Sequence, residues 1–281
     1  MAIRITSDST CDLGELVKTR DIVILPLQVN LGATAYHDGV DIVPEDIFAF
    51  VAETKELPKT SAPSIGDYED FFKEQLVGAD ELIHINISSK SSGSYNFAKQ
   101  AAEAFGGKVR VIDSMALSSG QGLLVLKAAD MRDEGKTASE IEKELLALRT
   151  RINTSFVPDN LDYLHKGGRV SGMVKTVASM FKIHPLIYMD NGQLVPGKKY
   201  KGKMSFLIKQ YVADLKEQYP DYDKSRCFVT HSSADESLVQ AAKEAVKENF
   251  EFDEIIETVA GSIITSHCGR GTLGVLFVYN P

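Results

Sequence analysis

The chain has 281 residues, of which 43% are hydrophobic and 25% charged, with a formal net charge of −8. That composition excludes a disordered chain, and the length exceeds the usual size of one core, so two domains are expected. The acidic balance speaks against nucleic acid as a partner, because phosphate binding needs a basic face, yet it leaves room for an anionic ligand in a local polar pocket.

The chain opens Met-Ala-Ile-Arg-Ile-Thr, with no long apolar run and no cleavage signature, so no secretory signal is expected. No apolar stretch approaches the length of a membrane span, which limits membrane contact to a transient one. Cys11, Cys227 and Cys268 are far apart and lack metal spacing. They predict reduced thiols in a cytoplasmic protein, with no metal site and no cofactor.

Ile3 to Ser7 reads as a strand ending in a polar cluster, and Ile22 to Leu31 as a second apolar run. Pro44-Glu45-Asp46 opens a helix, since Pro suits the first turn and acids favour its positive end. Glu81 to Ile87 is a strand, Tyr95 to Phe105 a helix, Lys108 to Ile112 a strand and Gln121 to Arg132 a helix. This alternation predicts a parallel sheet covered on both faces, a three-layer α/β arrangement. Thr137-Ala138-Ser139-Glu140 resembles a capping box for a helix running to about Arg151. Beyond it, Leu186 to Met189 and Gln193 to Tyr200 flank Asp190-Asn191-Gly192, a hairpin signal. Arg226 to Thr230, Ile255 to Val259 and Thr272 to Tyr279 read as strands, and Ala234 to Asn249 as a helix. The second half is therefore expected to be an α/β domain with a mixed sheet. The boundary falls near Thr150, dividing the chain into 1–150 and 151–281.

Ligands of open α/β sheets sit beyond the carboxyl ends of the strands. Thr60-Ser61-Ala62-Pro63-Ser64 offers hydroxyls in a loop stiffened by Pro63. Ser88 to Ser94 follows a strand and opens a helix, where free N–H groups suit an anion. Ser91 and Ser92 there fit simple helix capping equally well. Lys166-Gly167-Gly168-Arg169-Val170-Ser171 sets two glycines among basic groups before an apparent helix, and Lys198 to Lys203 is a basic run that also fits a solvated face. His267 lies between two strand-like runs in a Gly-containing loop, Ser266 to Thr272, where backbone can approach a ligand. His231, after a strand, is a weaker candidate of the same kind.

Taken together, these segments resemble the DegV family, whose members include the fatty-acid-binding subunits of bacterial fatty acid kinase. The resemblance runs through Ser7-Asp8-Ser9-Thr10-Cys11-Asp12-Leu13, Lys59 to Ser64, Ser88 to Tyr95, Asp113-Ser114, Leu161 to Ser171 and Thr265 to Gly274. Their joint order and spacing are specific, although each alone is weak. The resemblance implies two domains with the ligand between them. It also implies a long-chain fatty acid whose carboxylate a separate ATP-dependent fatty acid kinase phosphorylates. Thr60, with Ser61, matches the first carboxylate-binding loop, Ser92 and Gly93 match the second, and His267 matches the histidine beside the same carboxylate. Arg169 and Lys201 fall where the family carries basic residues near the ligand mouth or the kinase-docking face. The chain departs from the family at Ala62, where Gln is common, at His184-Pro185 in place of Lys-Pro, and at Lys201, where Arg is usual. Lysine lacks the planar fork of arginine. Met173-Val174, Val177-Ala178 and Met180-Phe181 are candidates for lining the acyl sleeve, and fit an ordinary core equally well.

A rival class is an enzyme. Ser92, His267 and Asp113 have the residue types of a hydrolase triad, but no Gly-x-Ser-x-Gly elbow surrounds Ser92. A phosphate-handling enzyme would draw on Ser92-Gly93, but no Gly-x-x-x-x-Gly-Lys-[Ser/Thr] loop exists for ATP.

Overall fold

The computed structural model describes residues 1–170 and 183–281. The sleeve candidates Met173 to Phe181, and the helix expected after Ser171, lie outside the described residues.

The first half builds an open parallel sheet. β1 (Ile3–Asp8) passes through a 3-10 turn and the short α1 (Leu16–Thr19) into β2 (Ile22–Leu25), its parallel neighbour. The apolar run from Ile22 to Leu31 is two strands rather than one. Pro26 brings no N–H to a ladder and divides them. The second piece, β3 (Gln28–Leu31), pairs instead with β4 (Thr34–His37) and β5 (Lys59–Ser61) in a separate antiparallel sheet. α2 (Pro44–Thr54) begins at the Pro44 signal, with the Val43 N–H donating to Asp46. α3 (Ile65–Gln75) is capped by Ser64 and Asp67, which hydrogen-bond each other's backbone N–H. Then follow β6 (Glu81–Asn86), α4 (Ser94–Ala102), β7 (Val109–Asp113), α5 (Ser119–Asp133) and α6 (Ala138–Leu148). The capping box at Thr137 forms, with the Glu140 N–H donating to the Thr137 hydroxyl at 3.3 Å.

The sheet order is β2-β1-β6-β7. Period-two alternation sorts its faces. Leu82 and His84 of β6 meet Tyr68 and Phe72 of α3, whereas Ile83 and Ile85 meet Leu124 and Ile141 of α5 and α6.

The second half forms the mixed sheet. Its elements are β8 (Ile152–Asn153), β9 (Ser155–Val157), α7 (Asp162–Gly167), β10 (Ile183–Asp190), β11 (Gln193–Lys201), α8 (Met204–Gln218), β12 (Tyr222–His231), α9 (Glu236–Asn249), β13 (Glu254–Val259), α10 (Ser262–Cys268) and β14 (Leu273–Tyr279). The order is β11-β10-β9-β14-β12-β13, with β8 also on β14, and β12 with β13 is its parallel pair. The β10–β11 hairpin turns at Asn191 and Gly192, with φ of 47° and 82°, the left-handed pair that a two-residue turn requires.

α5 is buried on nearly every side. One core joins Ile5 and Ile83 of the parallel sheet, Leu124 and Leu126 of α5, and Phe228 and Leu276 of the mixed sheet. A helix buried on nearly all sides belongs between two layers. The far face of the mixed sheet is covered by α8 and α9 through Leu207, Tyr211, Val239 and Val246. Among the described residues, no helix is long and apolar enough to cross a membrane.

Candidate functional site

A cavity of about 680 Å³ opens where the loops after β6 and β7 face β5, α10 and the ends of β12 and β14. It lies beyond the carboxyl ends of the parallel strands, as the geometry of such sheets favours. Thr60, Ser61, Ser92, Gly93, His267 and Arg169 all line it, and Lys201 does not. Lys201 sits exposed at the end of β11, opposite Ile183. Leu27, Ile87, Leu117, Leu164, Ile264 and Leu276 supply much of the apolar wall.

Two corrections concern local structure. Thr60 and Ser61 belong to the short strand β5, where Thr60 pairs with Val29, and not to a loop. His267 stands in the last turn of helix α10, and not in a loop between strands. Ile263, Ile264 and Thr265 are β-branched and favour strands over helices. Distant groups override that preference at the helix start. The Gly261 N–H donates to Asp12 at 2.9 Å and the Ser262 N–H to Asp38 at 2.7 Å. A Cβ on Gly261 would stand 3.1 to 3.2 Å from the oxygens of both carboxylates, so glycine permits this close approach. Burial raises the pKa of both Asp12 and Asp38. The two acids thus anchor the start of the helix whose last turn carries His267.

The His267 Nε2 and the Thr60 hydroxyl are 2.9 Å apart, while Nδ1 is buried without a partner among the described residues. Gly167 packs beside that nitrogen; a Cβ there would lie 3.1 Å from it. Burial, with the nearby Arg169 charge, lowers the His267 pKa to about 4. The ring is therefore neutral at physiological pH. The Ser92 oxygen accepts the Ser94 N–H at 3.2 Å and lies 2.8 Å from the Ser94 hydroxyl. Gly93 precedes the first residue of α4 and packs against the Phe97 ring. The Ser61 hydroxyl donates to Gln28.

The triad of Ser92, His267 and Asp113 does not assemble. Asp113 is occupied by the Ser89 hydroxyl and N–H and by the Met115 N–H, and His267 is bonded to Thr60. The three cysteines are unpaired and buried, which raises each thiol pKa, that of Cys268 to about 12. His231 also lines the cavity, accepting the Ala234 N–H at Nδ1 with Nε2 3.5 Å from Glu257. The apolar wall escaped the sequence reading. Its residues come from α7, α10, β14 and the connections that follow β2, β6 and β7, and share no periodicity.

The sequence model of the DegV family matches residues 2–280. A DegV domain-containing protein of Caldanaerobacter subterraneus is 32% identical over 277 residues, 98% of each chain. Among solved structures, a DegV family protein of Thermus thermophilus, reported for its fatty acid binding, superposes with a TM-score of 0.92 at 28% identity over the full length of both chains. A DegV lipid binding protein of Thermotoga maritima gives 0.87 at 30% identity over 99% of each chain. Continuous agreement from one end of the sequence to the other, in residues and in fold alike, establishes that this chain belongs to the DegV family.

Proposed function

We propose that this protein binds a long-chain fatty acid and presents its carboxylate to a separate ATP-dependent fatty acid kinase. The observation that carries the reading is one cavity lined by an aliphatic wall and by the neutral hydrogen-bonding groups Thr60, Ser92 and His267, of which Thr60 and His267 are bonded to each other. Each buried methylene contributes about 0.8 kcal/mol, so the acyl chain supplies most of the affinity. Polar groups then fix orientation. The fatty acid binding reported for the Thermus relative supports the choice of ligand, and the family motifs support the kinase as the recipient. Ligand held here touches both 1–150 and 151–281, the two proposed domains.

Proton placement favours a carboxylate. If the His267 proton sat on Nδ1, a buried N–H would be left unpaired, a rare and costly state. With the proton on Nε2, the imidazole donates to the Thr60 oxygen, and the Thr60 hydroxyl is free to donate to a ligand oxygen. Ser61 and Gly93 frame the same end. This chain contributes binding and orientation, while the kinase supplies ATP and the transfer chemistry.

Ser92→Ala removes one donor to a charged group. Affinity for a long-chain fatty acid is expected to fall by about ten- to a hundredfold, with little change in folding. Titration calorimetry on the full chain decides the matter; affinity equal to wild type would remove Ser92 from the carboxylate site.

Arg169 and Lys201 are separable. Arg169 lines the cavity and lowers the His267 pKa, so Arg169→Gln is expected to weaken fatty acid binding as well as phosphorylation. Lys201 lies outside the cavity, and Lys201→Gln is expected to lower only kinase-dependent acyl-phosphate formation. Both assays on the same preparations test this. A fall in fatty acid affinity for Lys201→Gln, or none for Arg169→Gln, would reverse the assignment.

A further inference from the structure

The loop that carries Ser92 curls around a residue that does not line the cavity. The Ser88 carbonyl accepts the Ser91 N–H at 2.9 Å and the Ser92 N–H at 3.2 Å, and the Ser88 hydroxyl accepts the Lys90 N–H at 3.3 Å. The backbone under Ser92 therefore follows Ser88. Ser88 is fully buried, and its hydroxyl donates to the Gly192 carbonyl at 2.6 Å, in the β10–β11 turn of the second half. Glycine permits that approach, because a Cβ on Gly192 would stand 2.8 Å from the Ser88 hydroxyl oxygen. Two residues further on, Leu194 lines the cavity and forms a β-bridge with Val170, which follows cavity-lining Arg169. One turn thus joins the Ser92 loop of one half to the Arg169 segment of the other. Neither Ser88 nor Gly192 lines the cavity.

We infer that Ser88 is a positioning residue, whose hydrogen bond to Gly192 sets the place of Ser92 relative to Arg169 at the head-group end of the cavity. The inference rests on the carboxylate reading above. Other bonds hold the loop to its own half: Asp113 accepts the Ser89 N–H and hydroxyl, and the Ser88 N–H donates to the Ala116 carbonyl at 2.9 Å. Those bonds survive removal of the Ser88 hydroxyl, so the loop keeps its fold. What is lost is the register between the halves, and the carbonyl of buried Gly192 loses its donor. A carboxylate gripped from both halves depends on that register, because hydrogen bonds weaken steeply with misalignment. An alcohol head group has no charge for Arg169 to pair with and depends on it far less.

The test compares dodecanoate with 1-dodecanol by titration calorimetry on the full chain. Ser88→Ala is expected to weaken dodecanoate binding by about three- to tenfold, the size of one net hydrogen bond, and to leave 1-dodecanol within about twofold. Gly192→Ala drives a methyl group at the Ser88 hydroxyl from the other half and is expected to weaken dodecanoate by a similar factor. Gly202→Ala also places a side chain at a positive φ, at the far end of β11, but meets nothing within 4 Å among the described residues; it is expected to bind dodecanoate as wild type does. Combining Ser88→Ala with Gly192→Ala removes the oxygen that the new methyl group would meet. The double variant is therefore expected to bind dodecanoate as Ser88→Ala alone does, the non-additivity of residues in contact. Losses that multiply in the double variant would overturn the inference, as would a Gly202→Ala loss equal to that of Gly192→Ala, or equal weakening of both ligands in Ser88→Ala. Dodecanoate affinity unchanged in Ser88→Ala, with Ser92→Ala still impaired, would overturn it while the carboxylate reading stands. An unimpaired Ser92→Ala would bring down both.

Discussion

Stability is expected to fall as pH drops from about 6.5 toward 4, through two histidines buried in neutral form. Burial holds His84 at a pKa of about 3 and His267 at about 4, against an ordinary value of 6.5. His84 is enclosed by the rings of Tyr68, Phe71 and Phe72. Its Nδ1 lies 2.8 Å from the Thr6 hydroxyl, and its Nε2 has no partner among the described residues. Between the unfolded and folded values the unfolded chain takes up a proton that the folded chain refuses. The stability is fully present above pH 6.5 and is lost as pH falls toward the folded pKa. Each histidine contributes a slope of about 1.4 kcal/mol per pH unit within that window. Asp12 and Asp38, with raised pKa values, act in the opposite sense, because the folded state keeps protons that the unfolded state releases above about pH 4. A variant isolates the histidine contribution. His84→Phe keeps an aromatic ring in the same nest and cannot titrate. Denaturant unfolding at intervals from pH 7 to 4.5 should show its pH slope reduced by about 1.4 kcal/mol per unit relative to wild type. Identical slopes would show that His84 is not held neutral by the fold.

Gly122→Val is expected to destabilise the protein by about 3 kcal/mol, the upper end of the range for overpacking a core. A Cβ at Gly122 would stand 2.7 Å from a Leu13 methyl and 2.8 Å from the backbone oxygen of Cys11. That backbone has little room to retreat. The adjoining Asp12 is tied by its carboxylate to the Ser118 hydroxyl and the Gly261 N–H. A glycine inside a helix ordinarily costs about 1 kcal/mol relative to alanine. Here the cost is offset by an approach that lets neighbouring Gln121 reach Ser7, Asp8 and Thr10. On the other side of Gln121, Gly120 lies closer still to the Thr154 side chain. Forcing α5 away would move Asp12 and with it the anchored start of α10. The folded fraction of Gly122→Val is therefore expected to bind fatty acid less tightly as well. Thermal and denaturant unfolding give the stability change, and calorimetry gives the affinity. Wild-type stability would mean that the helix and the Ser9–Cys11 turn separate freely.

Local signals were sufficient wherever a few neighbouring residues decide the outcome. Pro44-Glu45-Asp46 starts a helix and Thr137 with Glu140 caps one, because the groups involved lie within one turn of each other. Asn191-Gly192 turns the hairpin, because its positive φ angles need no help from the rest of the chain. The strand alternation that predicts a parallel sheet is legible for the same reason. Matching segments spread along the whole length made the family legible, and brought Thr60, Ser92 and His267 to notice before any geometry was known.

Tertiary structure decided the rest. The helix under His267 owes its start to Asp12 and Asp38, 249 and 224 residues away from the N–H groups they accept. No local pattern carries information about such partners. The apolar run broken at Pro26 sends its second piece into a different sheet, where pairing with β5 places Thr60 opposite Val29. Leu27, Leu117, Ile264 and Leu276 look like core residues in sequence and become one wall of a cavity when their elements meet. Burial lowers the pKa of His267 and raises that of Asp12 through the removal of water, a property of the assembled protein. Buried Asp8 meets the Asn86 amide, and the same amide reaches the Tyr68 hydroxyl. Donor and acceptor identities are written in the sequence, but which donor faces which acceptor is settled only when β1, α3 and β6 pack together.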